Sequence, residues 1–333
     1  MERISSSDIK DILSFYSFYS FYSFYHLCHH FYFYSVYTHP TNVHHTLQQP
    51  STQHPHLSIM KLSIVTTILA TSGLATATAT HHSKRTIGGT NATMDQFPYQ
   101  VSVQRRVQTF DCQFGVHTCG GIIIARNKIL TAAHCTMSDE DDDEFAGSQF
   151  QFQVRAGSRD WAHGGQLVSV NNITVHPSYK PGGNQVDDIA VLTLKSNLTL
   201  GGKVAVADLA GAEDPMPAAG TEVVVAGWGQ TRGGKGPPSR WLRSLRTKVA
   251  LRWICQFRYL RHGGIGSRTF CAGDWNEFEH TWASDSGGAL FDVQTKKVVG
   301  IVSYGPESPK SGYPTVFTSI AGYREFLAQV AYV

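Results

Sequence analysis

Nowhere in the chain are two cysteines separated by only two residues, so the paired units of a zinc site are missing. Neither a metal nor any other cofactor is expected. Net charge is equally scarce. A balance of +3 over 333 residues gives no basic field for nucleic acid or a membrane surface, and neither is expected as a partner. The apolar run after Met60 is diluted by Thr and Ser and is too short to cross a bilayer comfortably. From Thr86 to about residue 318 there is almost no 3.6-residue periodicity, which argues against a helical domain.

What is present reads as β-structure. Short apolar runs (GGIIIA, KILTAA, FQFQVRA, QLVSVNNITV, IAVLTL, TEVVVAGWG, KKVVGIVSYG and PTVFTSI) are separated by Gly, Pro, Asn and Asp. Their spacing predicts an all-β barrel or sandwich. From Ser319 to Val330, Ile320, Tyr323, Phe326/Leu327 and Val330 share one helical side, so a short helix is expected at about 319–330. The polar, Ala/Gly/Pro-rich stretch from Gly201 to Gly220 is the candidate connector between two halves.

Compartment follows from MKLSIVTTILATSGLATATAT, which begins at Met60 with one Lys, then an apolar stretch, then small residues in A-x-A patterns. This is the layout of a cleavable signal peptide at 60–79, so the protein is expected to be secreted, where disulfides persist. Residues 80–85 form a short pro-segment ending in the Lys84-Arg85 pair. Three N-x-T sequons, at Asn91, Asn172 and Asn197, are consistent with export and mark a glycoprotein. Residues 1–59 hold repeated SFY triplets and a His- and Tyr-rich tract with no structural period. They read as a gene-model artefact or a disordered extension, with Met60 the true start.

Three short motifs carry the chemistry. Taken singly, TAAHC around His134 suits a packed core histidine, DDIAVLTL around Asp188 a turn acid, and SDSGGAL around Ser286 a tight turn. Together they supply a hydroxyl, a base to take its proton, and a carboxylate to hold that base in one tautomer. Their order, His then Asp then Ser, is one of the arrangements in which this apparatus occurs. Glycines beside the hydroxyl let backbone amides face a developing oxyanion.

CGGIIIA at Cys119, TAAHC, DIAVL, GWG at Trp228, CAG at Cys271, DSGG and SYG at Ser303 occur in the order and spacing of the trypsin/chymotrypsin-like serine proteases. The chain resembles that family from about Thr86 to Val330. The resemblance implies two six-stranded antiparallel β-barrels and a C-terminal helix, with the first barrel at about 86–205 and the second at about 206–317 of an 86–333 domain. It implies His134 as general base, Asp188 as its orienting acid and Ser286 as nucleophile, with the amides of Ser284 and Ser286 as oxyanion hole. It also implies disulfides Cys119–Cys135 and Cys255–Cys271, leaving Cys112 over. Cleavage after Arg85 would free Thr86 to pair with Asp285, so the precursor would be a zymogen. Substrate-pocket positions fall on His280, Thr281, Ser303, Gly305 and Thr315. Partners are then protein or peptide substrates and protein protease inhibitors, and the enzyme is expected to be a monomer.

Four departures from the pattern matter. Thr86 stands where the family buries Ile or Val, and its hydroxyl must be satisfied. Ser284 replaces a glycine, at a cost of roughly 1–2 kcal/mol if the position needs positive φ. Trp282 and Ser308 stand where a cysteine pair usually braces the pocket. His280 occupies the place of the acid that gives Arg/Lys preference, and Thr315 that of a glycine. Small or medium P1 residues are therefore expected, with Gly305 open on one wall and Thr315 narrowing the other. The acidic run Ser138–Glu144 reads as a solvated loop. The stretch Gly157–Gln166 has only Asp160 as an acid, too little for calcium. A secreted endopeptidase is the first reading; the alternative is a weakly active or inactive homologue that binds proteins.

Overall fold

The structure is a computed structural model and describes residues 89–108, 113–137, 151–181, 185–230, 237–273, 285–305 and 313–332. Residues 1–59, the expected signal peptide at 60–79, Lys84, Arg85, Thr86, Cys112 and the acidic run lie outside them. Thirteen strands are seen among the described residues. Strands β2 (Gln100–Gln108), β3 (Gln113–Ala125), β4 (Lys128–Thr131), β5 (Phe152–Ala156), β6 (Gln166–Val175) and β7 (Ala190–Leu194) close into an antiparallel barrel in the order β2-β3-β4-β7-β6-β5. The expected all-β class and first barrel are observed.

The second half is a curled seven-stranded sheet rather than a second fully laddered barrel. It comprises β1 (Thr90–Asn91), β8 (Glu222–Gly227), β9 (Arg243–Lys248), β10 (Thr269–Ala272), β11 (Ala289–Asp292), β12 (Val298–Tyr304) and β13 (Thr315–Ser319), in the order β1-β9-β8-β11-β12-β13-β10. Past the end of β9 the curl is drawn together by a single bridge, Val249 to Ala272. The Ala250 amide donates to the Cys271 carbonyl and the Gly273 amide to that of Lys248. The short β1 comes from the N-terminal side yet pairs with β9.

Several strands had no alternating signal. β2 buries Gln100, Ser102 and Gln104 as fully as Val101 and Val103, so polarity does not mark its faces. β9 buries only Leu245. Helix α1 (Arg252–Arg258) also escaped the periodicity test, because among its residues only Cys255 is buried while Trp253 and Phe257 face outward. The C-terminal helix begins later than expected. Ser319 completes β13, Ala321–Tyr323 form a 3-10 turn, and α2 runs over Arg324–Ala331. Phe326 and Leu327 are buried as expected, and Val330 is half-buried. No described helix is long and apolar enough to cross a membrane.

Contacts along the connector and around Trp228 and Asp160 help to join the two halves. Along the connector, the Ala207 amide donates to Ile123 of the barrel, and three residues later the Ala210 amide donates to Val298 of the second sheet. The Trp228 indole, fully buried, donates to the Arg159 carbonyl. Beside it, both Nε and one terminal nitrogen of Arg240 reach Asp160 Oδ2, at 3.1 and 3.0 Å, while the Ala162 amide donates to Oδ1. Burial by itself would raise the Asp160 carboxyl, but Arg240, the Ala162 amide and His163 outweigh it and hold it below the ordinary carboxylate range.

A lowered folded value means that Asp160 stabilises the fold above the ordinary carboxylate range and that this contribution fades as pH falls through the folded value. Asp160→Asn should therefore cost on the order of 1 kcal/mol at neutral pH. The deficit should vanish at strongly acidic pH, as measured by urea titration of both proteins across the acid limb.

Candidate active site

His134 lies in the 3-10 turn Ala133–Thr136 that immediately follows β4. That turn is fastened from behind, because Cys135 is bonded to Cys119 on β3. The second bridge joins Cys255 of α1 to Cys271 of β10. Both pairings agree with the resemblance. Asp188 precedes β7, the strand that pairs with β4, so the register of two neighbouring strands brings an acid and an imidazole together.

Their geometry is specific. Asp188 is fully buried, and its Oδ2 lies 2.8 Å from His134 Nδ1 while Oδ1 accepts the His134 backbone amide at 2.9 Å. Ser303 Oγ, from β12, donates to the same Oδ2 at 2.6 Å. Thr318 Oγ1, from β13, donates to the Asp188 carbonyl at 3.1 Å. His134 and Ser303 thus meet both oxygens of this buried carboxylate. Burial first, and Asp188 second, push the Tyr304 and Tyr179 hydroxyls up to about 12.

The Nδ1 contact also sets the tautomer. A carboxylate oxygen opposite Nδ1 matches the tautomer in which Nδ1 donates and Nε2 keeps its lone pair. The His134 side chain is 28% exposed, enough to meet a reactant from solvent. Nε2 lies 3.8 Å from Cys135 Sγ. Cys119, His134 and Cys135 place their donor atoms within 4.8 Å of one another, but both sulfurs are spent in the disulfide and offer no thiolate to a metal.

Ser286 occupies the turn before β11 and is half-buried. Its carbonyl accepts the Gly120 amide at 2.7 Å. Gly120 adjoins Cys119, so Ser286 is held to the strand that is cross-linked to the His134 turn. Gly287 has φ +78°, and a Cβ there would stand 2.2 Å from Thr131 Oγ1 and 2.5 Å from the Gly120 carbonyl. Asp285 folds back over the Gly-Trp-Gly segment, where its Oδ1 accepts the Gly229 amide at 2.8 Å. A Cβ on Gly227 or Gly229 would collide with that carboxylate, at 2.2 and 2.1 Å.

Of the expected pocket residues, Ser303 and Thr315 are buried and Gly305 is exposed. The Ser303 hydroxyl is directed to Asp188, so this side chain supports the acid whatever the pocket contains. His280, Thr281, Trp282, Ser284 and Ser308 lie outside the described residues. Sequence reasoning missed Thr318 and Asp187. The latter has φ +60°, and its Oδ1 accepts the Tyr323 hydroxyl at 2.8 Å and lies 3.5 Å from Arg268. The doubled acid in DDIAVL was the available signal: one carboxylate turns inward to His134, the other toward α2.

The family model described as Trypsin matches residues 86–327. The chain belongs to the trypsin family. It is 31% identical over 253 residues to Trypsin 5G1 of Aedes aegypti, covering 76% of this chain and 87% of that one. It is 32% identical over 243 residues to the vitellin-degrading protease of Bombyx mori, covering 73% and 84%. With Trypsin alpha-4 of Lucilia cuprina the identity is 34% over 248 residues, covering 74% and 88%. These relatives support a serine protease acting on protein or peptide substrates.

Within this trypsin-family frame, Ser303→Ala leaves a buried carboxylate one donor short and should cost about 1–3 kcal/mol. Gly287→Ala combines positive φ with two close contacts and should cost at least as much. Urea denaturation of each variant beside Ser267→Ala, an exchange distant from these bonds, checks both.

Proposed function

We propose that the chain is a secreted serine endopeptidase, made as a zymogen, that hydrolyses peptide bonds through an acyl-enzyme on Ser286. The observation that carries this reading is the buried Asp188 carboxylate 2.8 Å from Nδ1 of His134, whose side chain is 28% exposed. His134 Nε2 takes the Ser286 proton as Oγ attacks the carbonyl carbon of the substrate. Asp188 does not become protonated; it stabilises the imidazolium and prevents the ring from turning. The imidazolium then gives its proton to the leaving amine, and water repeats the sequence to release the acid. Backbone amides of Ser284 and Ser286 receive the oxyanion of each tetrahedral intermediate.

Maturation and specificity follow the same reading. Export uses the segment at 60–79, and cleavage after Arg85 frees Thr86 to pair with Asp285. Asp285 already lies against Gly229, next in the chain to buried Trp228, so an ammonium arriving there would meet a carboxylate backed by a rigid wall. Thr315, buried on β13, and His280 in place of a pocket acid favour small or medium P1 side chains over Arg or Lys.

Protein beginning at Thr86 should be labelled by a fluorophosphonate, and Ser286→Ala should not. Absence of label on correctly processed protein would favour the binding-protein alternative. Asp188→Asn should lower kcat on the order of 10⁴-fold, the general scale for losing the orienting carboxylate. Peptide-library profiling of the same mature protein should yield cleavage after small or medium residues. Dominant cleavage after Arg or Lys would overturn the pocket assignment.

A further inference from the structure

Between Glu222 and Asp274 the chain has no acidic residue, while residues 223–273 carry ten Lys or Arg. Several of these cations are occupied within the fold. Arg240, Arg246 and Arg268 face Asp160, Glu222 and Asp187. Arg243 bonds to Asn91 and to the Gly89 carbonyl, and Arg252 reaches the carbonyls of Thr269 and Gly266. Arg258 and Arg261 are exposed and take part in no ion pair among the described residues.

Beside these two cations, α1 and the following turn expose Trp253 at 68%, Phe257 at 69% and Leu260 at 61%. A spacing of four and then three residues sets them along one side. Loose packing does not explain the exposure, because the helix is firmly seated. Cys255 is bonded to Cys271, Gln256 Oε1 accepts the Ile265 amide at 3.0 Å, and Tyr259 Oη donates to the Pro314 carbonyl at 2.8 Å. Tyr259 also ties the surface to the strand that carries Ser303. Its ring lies 5.4 Å from Tyr304 and 5.2 Å from Tyr313, and Tyr304 stands between Ser303 and Gly305.

We propose that Trp253, Phe257 and Leu260, with Arg258 and Arg261, form a docking surface for an acidic, apolar segment of protein substrates. That this partner is a substrate rests on the endopeptidase reading. Aromatic and arginine side chains are the residue types that dominate protein interfaces, and a rigid display loses little freedom on binding. Arg258 and Arg261, exposed and in no ion pair among the described residues, select an acidic partner. Three apolar side chains on a short helix and the turn after it bury little area in a bilayer, where binding scales with that area.

The test uses Ser286→Ala protein beginning at Thr86 and a fluorescein-labelled peptide of sequence EDLFEDLFEDLF, read by anisotropy. Saturable, salt-sensitive binding is expected. Trp253→Ser/Phe257→Ser and, separately, Arg258→Glu/Arg261→Glu should each weaken it on the order of tenfold or more with unchanged melting temperatures. The charge-reversed pair retains every apolar side chain, so it serves as an independent test should the first pair misfold. Equal affinity in both pairs overturns the proposal. So does patch-dependent binding to phosphatidylserine vesicles without peptide binding, or patch-dependent self-association in the ultracentrifuge. Because the protein measured cannot form an acyl-enzyme, a negative result here is distinct from a failure to hydrolyse.

Discussion

The Asp188 carboxylate is the constraint on which the rest of this structure depends. It is a fully buried anion, and such a group is tolerable only when donors surround it. Two donors come from His134 and one from Ser303, while Thr318 holds the backbone of the same residue. His134 and Asp188 belong to the closed barrel, and Ser303 and Thr318 to the curled sheet. The anion therefore demands that both halves be present, and what it orients is the imidazole.

Other links repeat this logic with different chemistry. Gly120 of the barrel meets Gly288 of the sheet so closely that a Cβ on Gly120 would stand 2.8 Å from the Gly288 Cα. The first and last described elements cross over as well. Thr90–Asn91 pair in the second sheet, while His176, just beyond the barrel strand β6, packs edge-on against Tyr323 and Phe326 at the C-terminus. Each half is thus clasped by an element that adjoins the other in sequence. The exposed side of α1 is unlike all of this: fixed to the body by a disulfide and side-chain bonds, it spends its apolar residues on solvent.

Much of the fold was legible because alternation and turn residues are local signals. QLVSVNNITV matches β6 residue for residue, and the starts of β7 and β8 lie within one residue of the apolar runs read for them. Where burial was not apolar the signal failed, as in β2 with its buried Gln100, Ser102 and Gln104, and in α1 with its exposed Trp253 and Phe257. The glycines were readable as necessary but not for the right reason. Those after Ser286 do more than free the backbone near an oxyanion: Gly287 and Gly288 have no room for a side chain against Thr131, Gly120 and Gln100.

Sequence alone determined the β class, the final helix and the trio His134, Asp188 and Ser286 as the chemistry worth testing, because residue type, order and local periodicity are written along the chain. Tertiary structure alone decided that Ser303 and Thr318 support the acid, that Asp187 turns away from it, and that Asp285 lies over Gly227 and Gly229. Those are contacts between residues distant in the chain. Their partners are set by how two halves fold onto one buried charge, which no local pattern encodes.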